Sequence, residues 1–278
     1  TMVKECKPDI VVILTESGNH IKHYLKLKKI ATNFIIEKPL SLFSKDLKKI
    51  IINKKKFQNN IFVVKQNRFN PPVMKLKDSI IKKRLGKVFM STSRVRWRRD
   101  QEYYNLADWR GTRNLDGGVI GNQASHHLDA LIWMNGNVKE VFAHGIKAMA
   151  KIESEDTIIA NLKFKNGSIG VLEATTATRP MDIEGSLSVL GSKGIVEISG
   201  FAMNKIKIWK TLRKSYKKFK ENYEIKNVYG NGHFEFYKNV YDSLSGKSNN
   251  IISFEDAVHV SKVIEAINIS IKKKKIIK

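Results

Sequence analysis

A six-residue run, Phe34-Ile35-Ile36-Glu37-Lys38-Pro39, constrains this chain more than any other. Its apolar half reads as a strand covered on both faces, and Glu-Lys-Pro ends it. A similar run, Ile10-Val11-Val12-Ile13-Leu14, comes before it. Between them stand the turn residues Thr15-Glu16-Ser17-Gly18 and a segment with Ile21, Tyr24, Leu25 and Lys28 at helical spacing. A second helical pattern, with Leu47, Ile50 and Ile51, leads to a third strand, Ile61-Phe62-Val63-Val64. Asn19 and Ser44 are the expected helix N-caps. The order is β-α-β-α-β, and right-handed crossovers make such strands parallel. Ligands of parallel sheets bind beyond the carboxyl ends of the strands. Lys38 is therefore expected to face a crevice.

After Gln66-Asn67-Arg68 the pattern changes. Pro71-Pro72 opens a helix expected over 71–84, with proline tolerated in a first turn and Gly86 ending it. A long strand is expected over 87–97, then a polar loop over 98–114. Asp116-Gly117-Gly118 leads into a helix reaching about Met134. Strand-like segments follow over 138–149, 156–164, 168–176, 184–190, 194–198 and 205–209, with Gly167, Gly191 and Gly194 at turns. They read as a mostly antiparallel sheet with one open face. Ser253 and Asp256 make a capping-box-like start to a last helix. Its stripe of Ala257, Val260, Ile264, Ile267 and Ile271 is core-packing.

The length of 278 residues suits one large or two modest domains, and 42% hydrophobic residues suffice for a core. No apolar run reaches the roughly 18–20 residues of a membrane span. Cys6 is the single cysteine, so no internal disulfide can form, which fits a reducing, cytoplasmic setting. The net charge of +25 comes mostly from lysine, clustered over 26–29, 45–56, 205–226 and 272–278. The spread argues against a nucleic-acid surface, which needs cations gathered on one face. A closed metal site is not expected: Cys6 is isolated and the histidines lack ligand spacing.

A second chemical signal is Asn122-Gln123-Ala124-Ser125-His126-His127-Leu128-Asp129. On one continuous helix Asn122, His126, Asp129 and Trp133 would share a face, and Asp129 could orient the imidazole of His126 and favour its cation. His127 would point elsewhere and read as core or surface. Oxidising a secondary alcohol needs a hydride acceptor, a base, and donors for the developing oxyanion. Lys38 and His126 could supply the last two. His126 is favoured as base with Lys38 as anchor, and the reverse stays open, because burial and nearby positive charge could depress Lys38 enough for it to take the proton. The loop with Trp97, Tyr103, Tyr104, Trp109 and several arginines suits a diphosphate, carboxylate or aromatic base, with Arg179 a lesser candidate for the same anion.

These residues resemble the glucose-fructose oxidoreductase / inositol dehydrogenase family of NAD(P)-dependent sugar oxidoreductases. The likeness rests on Val12 through His20, Glu37-Lys38-Pro39, Gly117-Gly118 through Asp129, and the ending from Phe254-Glu255-Asp256-Ala257. Within the family it is similar to dehydrogenases that oxidise UDP-N-acetylglucosaminuronic acid at its 3-hydroxyl in surface-polysaccharide pathways. Gln66 through Pro71, Trp97, Gln101 through Tyr104, Trp109 through Thr112 and Asn122-Gln123 carry that likeness. Asn122 stands where aspartate is usual, and Glu16 where proline is common.

The resemblance implies an α/β plus α+β fold. Residues 1–66 would be the second half of a Rossmann-type parallel sheet. Residues 67–278 would form a substrate and oligomerisation domain with a large open, mostly antiparallel sheet and a C-terminal helix over 254–272 packing back. It implies Lys38 and His126 as catalytic. NAD, with NADP not excluded, would be bound by Thr15, Ser17, Asn19, His20, Glu37, Lys38 and Gln66. The sugar nucleotide would meet Lys38, Arg68, Asn70, Trp109, Arg110, Asn122, Gln123, His126, Asp129 and Arg179. A homo-oligomer through the open sheet is also implied.

Residues 1–60 hold one glycine, Gly18, so the GxGxxG loop of a dinucleotide fold is missing. The expectation is that the first half of the nucleotide domain lies upstream. Alternatives are a dehydrogenase of another sugar or polyol, and a non-catalytic module binding sugar nucleotide or nucleic acid.

Overall fold

The computed structural model describes residues 2–212, 225 and 231–278. The lysine cluster reaching Lys226 thus lies partly outside the described residues. A short helix α1 (Met2–Cys6) leads into the parallel unit: β1 (Ile10–Ile13), α2 (His20–Leu27), β2 (Asn33–Ile36), α3 (Ser44–Phe57) and β3 (Asn60–Val63). The three strands pair in the order β1-β2-β3, all parallel.

Alternation along β2 explains its unbroken apolar run. Phe34 and Ile36 join a core with Ile13, Ile21, Tyr24, Leu47, Ile50 and Val63, while Ile35 points to the opposite face with Phe62 and Val64. That second face is covered by Phe236 and Val240 of helix α8 (Gly232–Leu244), an unanticipated element whose Phe236, Val240 and Leu244 stand at four-residue helical spacing. Truncating Phe34 to alanine would cost about 3–5 kcal/mol. Among the described residues β1 pairs only with β2, and Val12 and Leu14 near its end are exposed.

Two expected caps are not made. Asn19 donates to Glu16 at 2.9 Å and gives no cap hydrogen bond to α2. Ser44 is itself the first residue of α3, and its backbone N–H and hydroxyl both turn to Glu265.

The rest of the chain holds helices α4 (Pro71–Ile81), α5 (Gln101–Asn105), α6 (Gly118–Gly121), α7 (Ser125–Asn135) and α9 (Phe254–Lys273). Its strands are β4 (Val88–Arg96), β5 (Val138–Ile146), β6 (Thr157–Phe164), β7 (Ile169–Thr175), β8 (Glu184–Gly191), β9 (Gly194–Ser199) and β10 (Lys205–Thr211). They form one sheet in the order β10-β9-β8-β4-β7-β6-β5, antiparallel except for β4 against β7. Helices α4, α7 and α9 pack on one face of it to make the larger core.

The 98–114 loop is not wholly irregular. Asp100 accepts a hydrogen bond from the Tyr103 backbone and starts α5. The helix expected to run from Gly118 to about Met134 is broken at Asn122 into α6 and α7.

α9 ties the two sheets together. Phe254, Ala257 and Val258 belong to the core of the parallel sheet, and Val260, Val263, Ile264 and Ile267 to that of the larger one. Ser253 accepts from the Asp256 backbone at 3.0 Å, satisfying one open N–H of the first turn. The single glycine of the parallel unit serves close approach. A Cβ on Gly18 would sit 1.8 Å from the Asn114 carbonyl oxygen, and the Gly18 N–H donates to Leu115 at 3.0 Å. This contact pins the turn after β1 to the loop before α6.

Candidate active site

The carboxyl ends of the three parallel strands open on a cavity of about 460 Å³. Leu14, Thr15, Glu16 and Ser17 reach it from beyond β1, Glu37 and Lys38 from β2, and Gln66 from β3. The opposite wall comes from the second part of the chain: Trp97, Arg99, Tyr103, Trp109, Arg110, Asn122, Gln123 and His126, with His233 from α8. A second hollow, of about 260 Å³, lies on the outer face of the large sheet. It is lined mostly by apolar residues such as Met90, Phe142, Ile169 and Ile276, with Glu140, Asn161 and Lys163 the polar residues on its wall. The first hollow is therefore the candidate site.

Lys38 is held by the helix break. Its Nζ donates to the Asn122 carbonyl at 2.6 Å and reaches Asn122 Oδ1 at 3.4 Å. The Lys38-Pro39 peptide is cis, and the Lys38 backbone N–H donates to Glu37 Oε2 at 2.9 Å. Burial pushes the Lys38 pKa down, while Glu37 and Asp116 work against that and Lys65 with it.

His126, from the first turn of α7, is buried at 8% exposure. Its Nε2 lies 3.1 Å from Gln66 Nε2. With that carboxamide as donor, the ring is neutral, its proton on Nδ1 and its lone pair on Nε2. Burial pushes the His126 pKa well below the usual histidine value, and Lys38 and Lys65 push it further. A neutral imidazole can accept a proton.

Asp129 does not orient His126. Its carboxylate takes Arg68 Nε and Nη2, both at 2.8 Å, and Lys65 Nζ stands 3.5 Å away. Arg68 also donates to Asp256 at 2.8 Å and stacks 4.9 Å from the Trp133 ring. Burial alone would push the Asp129 carboxyl up, but Arg68 and Lys65 outweigh it and hold it below the ordinary range. The expected shared helical face fails because Asn122 stands in the break and Asp129 is engaged by the segment after β3.

Several other anticipated residues also stay away from the cavity. Asn70 donates to the Ala202 carbonyl at 2.6 Å and is fully buried. Arg179 is exposed and donates to the Thr178 carbonyl at 2.7 Å. Asn19 bonds Glu16, and His20 bridges the Thr15 and Pro39 carbonyls at 2.9 and 2.8 Å, supporting two cavity loops from behind. His127 lies in the core, edge-on to Trp97 at 5.5 Å, with neither ring nitrogen hydrogen-bonded.

The cavity wall has a cationic, aromatic rim. The Arg110 guanidinium lies 4.3 Å over Tyr103 and 4.7 Å over Trp109, and Nη1 donates to the Tyr103 hydroxyl at 2.5 Å. Arg99 lies over Trp97 and Tyr103. Among the described residues, buried polar atoms here lack partners: Arg110 Nε, Gln66 Oε1, Gln123 Oε1 and Trp97 Nε1. Native interiors rarely leave such groups unmet. These fit a polar, planar or anionic ligand better than a closed core. Two contributors were not anticipated. His233 comes from α8, whose apolar spacing marks a helix but not a cavity residue. Asp116, in the turn before α6, accepts the Asn122 side-chain N–H and the Gly111 backbone N–H, the latter at 3.1 Å.

The folded chain superposes on the WlbA dehydrogenase from Bordetella pertussis, solved in complex with NADH and UDP-GlcNAcA, with a TM-score of 0.94 and 34% identity, covering 99% of this chain and 81% of that one. For the WlbA dehydrogenase of Chromobacterium violaceum, solved with the same two ligands, the values are 0.90, 33%, 99% and 79%. Myo-inositol 2-dehydrogenase of Thermotoga maritima is 26% identical over 200 residues, 69% of this chain. The chain spans from 34% to 57% of the length of the curated relatives it matches. Residues 77–278 match the C-terminal alpha/beta domain of an oxidoreductase family. By that match the chain belongs to the glucose-fructose oxidoreductase / inositol dehydrogenase family of oxidoreductases.

Proposed function

We propose that the protein is an NAD-dependent dehydrogenase that oxidises a secondary alcohol on a sugar nucleotide, the 3-hydroxyl of UDP-N-acetylglucosaminuronic acid. The observation that carries this reading is the convergence of Lys38 and His126, from different elements, on one cavity at the carboxyl ends of parallel strands. Residues 1–66 act as the second half of a nucleotide-binding domain. Thr15, Ser17, Glu37, Lys38 and Gln66 line the cavity on that side and would meet the cofactor.

Bound NAD supplies the hydride acceptor. The chain's own residues supply the rest. The Lys38 ammonium, with two of its three N–H groups facing Asn122, donates to the substrate oxygen and stabilises its developing negative charge. The neutral His126 takes the hydroxyl proton at Nε2, where the substrate replaces Gln66. Arg110 and Arg99, stacked on Tyr103, Trp97 and Trp109, suit the anionic part of the substrate. The relatives crystallised with NADH and UDP-GlcNAcA support the substrate class. The open face of the large sheet, where Met90, Ile159 and Ile169 are exposed, is the surface for self-association.

The test is NADH formation by the intact protein across a substrate panel. Turnover with UDP-N-acetylglucosaminuronate and none with free polyols is expected. Turnover with free polyols or neutral sugars, and none with the UDP compound, would replace this substrate with another of the family's alcohols.

A further inference from the structure

Asp116 is a buried acid with no sequence motif to announce it. It is 1% exposed, and the two donors it accepts are both neutral amides: the Gly111 backbone N–H and the side-chain N–H of Asn122. A carboxylate buried without a directly contacting cation is costly unless its charge acts further on. Here it does. An ionised carboxylate only accepts hydrogen bonds, so it selects the NH₂ end of the Asn122 carboxamide. The other end, Oδ1, then has to face Lys38, 3.4 Å away. With the Asn122 backbone carbonyl at 2.6 Å, this completes a seat of two oxygens for the ammonium and leaves one N–H for a ligand.

We propose that Asp116 is a positioning residue: through the carboxamide of Asn122 it holds the Lys38 ammonium in its oxygen seat, so that Lys38 serves as the hydrogen-bond donor and His126 as the proton acceptor. The inference rests on the dehydrogenase reading for its second half only. The seat itself is a property of the chain. The charged groups acting on Lys38 are Glu37 and Asp116, which favour the cation, and Lys65, which opposes it. The His126 imidazole and the more distant His20 also feel the Lys38 charge. Burial pushes the Asp116 carboxyl up, while the Asn122 and Gly111 N–H groups, Lys38 and Arg110 favour its ionised form, which is the form that sets the seat.

The experiment follows the Lys38 side chain by ¹³Cε-lysine NMR in the intact protein, its resonance assigned by its loss in Lys38→Met. Asp116→Asn can donate to Asn122 Oδ1 and turn the carboxamide so that NH₂ meets NH₃⁺. The Lys38 titration midpoint is expected to fall by about one unit or more, the size of one lost neighbouring charge. The alkaline limb of the turnover–pH profile should move down with it. Adding Asn122→Asp to that variant puts a carboxylate back beside Lys38 and should return both. An unchanged Lys38 midpoint in Asp116→Asn, or one that Asn122→Asp fails to restore, overturns the proposal. A wild-type protein with no dehydrogenase turnover but the expected Lys38 shifts would overturn the proposed function and retain the seat.

Discussion

Lys65, Arg68 and Asp129 form a buried ion cluster, with the partly exposed Asp256 at its edge, in which each charge has an opposite partner. Along the neighbouring cavity wall, among the described residues, Gln66, Gln123 and Arg110 each keep a buried polar atom unpaired, and the Lys38 ammonium donates to the oxygens of Asn122. The two regions are built from the same kinds of residue, and two residues, Lys65 and Gln66, are chain neighbours. What separates them is completeness. A closed set of ion pairs fixes the segment after β3 against α7 and α9. An open set leaves capacity for a ligand.

Breaking the open set should abolish activity and spare the fold. Lys38→Ala and His126→Ala are each expected to lower the rate of NADH formation by about a thousandfold or more, through loss of oxyanion stabilisation and of the proton acceptor. Thermal unfolding should stay within a few degrees of wild type. Breaking the closed set should do the reverse. Asp129→Ala leaves Lys65 in the interior without its carboxylate and Arg68 with Asp256 alone, and is expected to cost about 3–5 kcal/mol in urea unfolding. Any residual folded protein should still bind the sugar nucleotide. Ligand binding lost with full stability would move Asp129 into the site.

A third test uses pH. Burial pushes the His127 pKa down to about 3, because neither ring nitrogen has a partner. The unfolded chain takes up a proton near pH 6.5 and the folded one does not. The sign is therefore fixed: stability is full above about 6.5 and is lost as pH falls toward 3. His126, His20 and His259 shift in the same direction. His127→Leu should flatten, without abolishing, the acid slope of the unfolding free energy. An unchanged slope would mean that His127 already has a partner in solution.

The smallest effects should come from the arginines. Arg110→Lys keeps the charge but loses the planar fork stacked between Tyr103 and Trp109, and about a tenfold weaker KM with little change in kcat is expected. Arg179→Ala, exposed and away from the cavity, should change KM less than twofold. A large effect at Arg179 would extend the site across the surface.

The same contrast explains how much could be read from the chain. The parallel unit was legible because its strands are apolar on both faces and end in turn chemistry, and that topology puts Lys38 at a strand's carboxyl end. The open, mostly antiparallel sheet was legible from alternation. The roles of Arg68, Asn70 and Asp129 were not, because their partners, Asp256 and the Ala202 carbonyl among them, lie far along the chain. Local motif position could not tell a paired charge from an unpaired one. The break at Asn122 was hidden too: Gly121 precedes it but no proline marks it, and the Asp116 and Lys38 contacts made by Asn122 are not visible in a local helical pattern. His233 had no signal at all, since nothing in the local pattern of α8 ties it to a cavity formed elsewhere.

The most direct measurement is a structure of the intact protein with NADH and UDP-N-acetylglucosaminuronate. The 3-hydroxyl oxygen is expected about 3 Å from both Lys38 Nζ and His126 Nε2, with Gln66 displaced from the imidazole. A sugar whose oxidisable hydroxyl meets neither side chain, or a nucleotide bound outside this cavity, would contradict it.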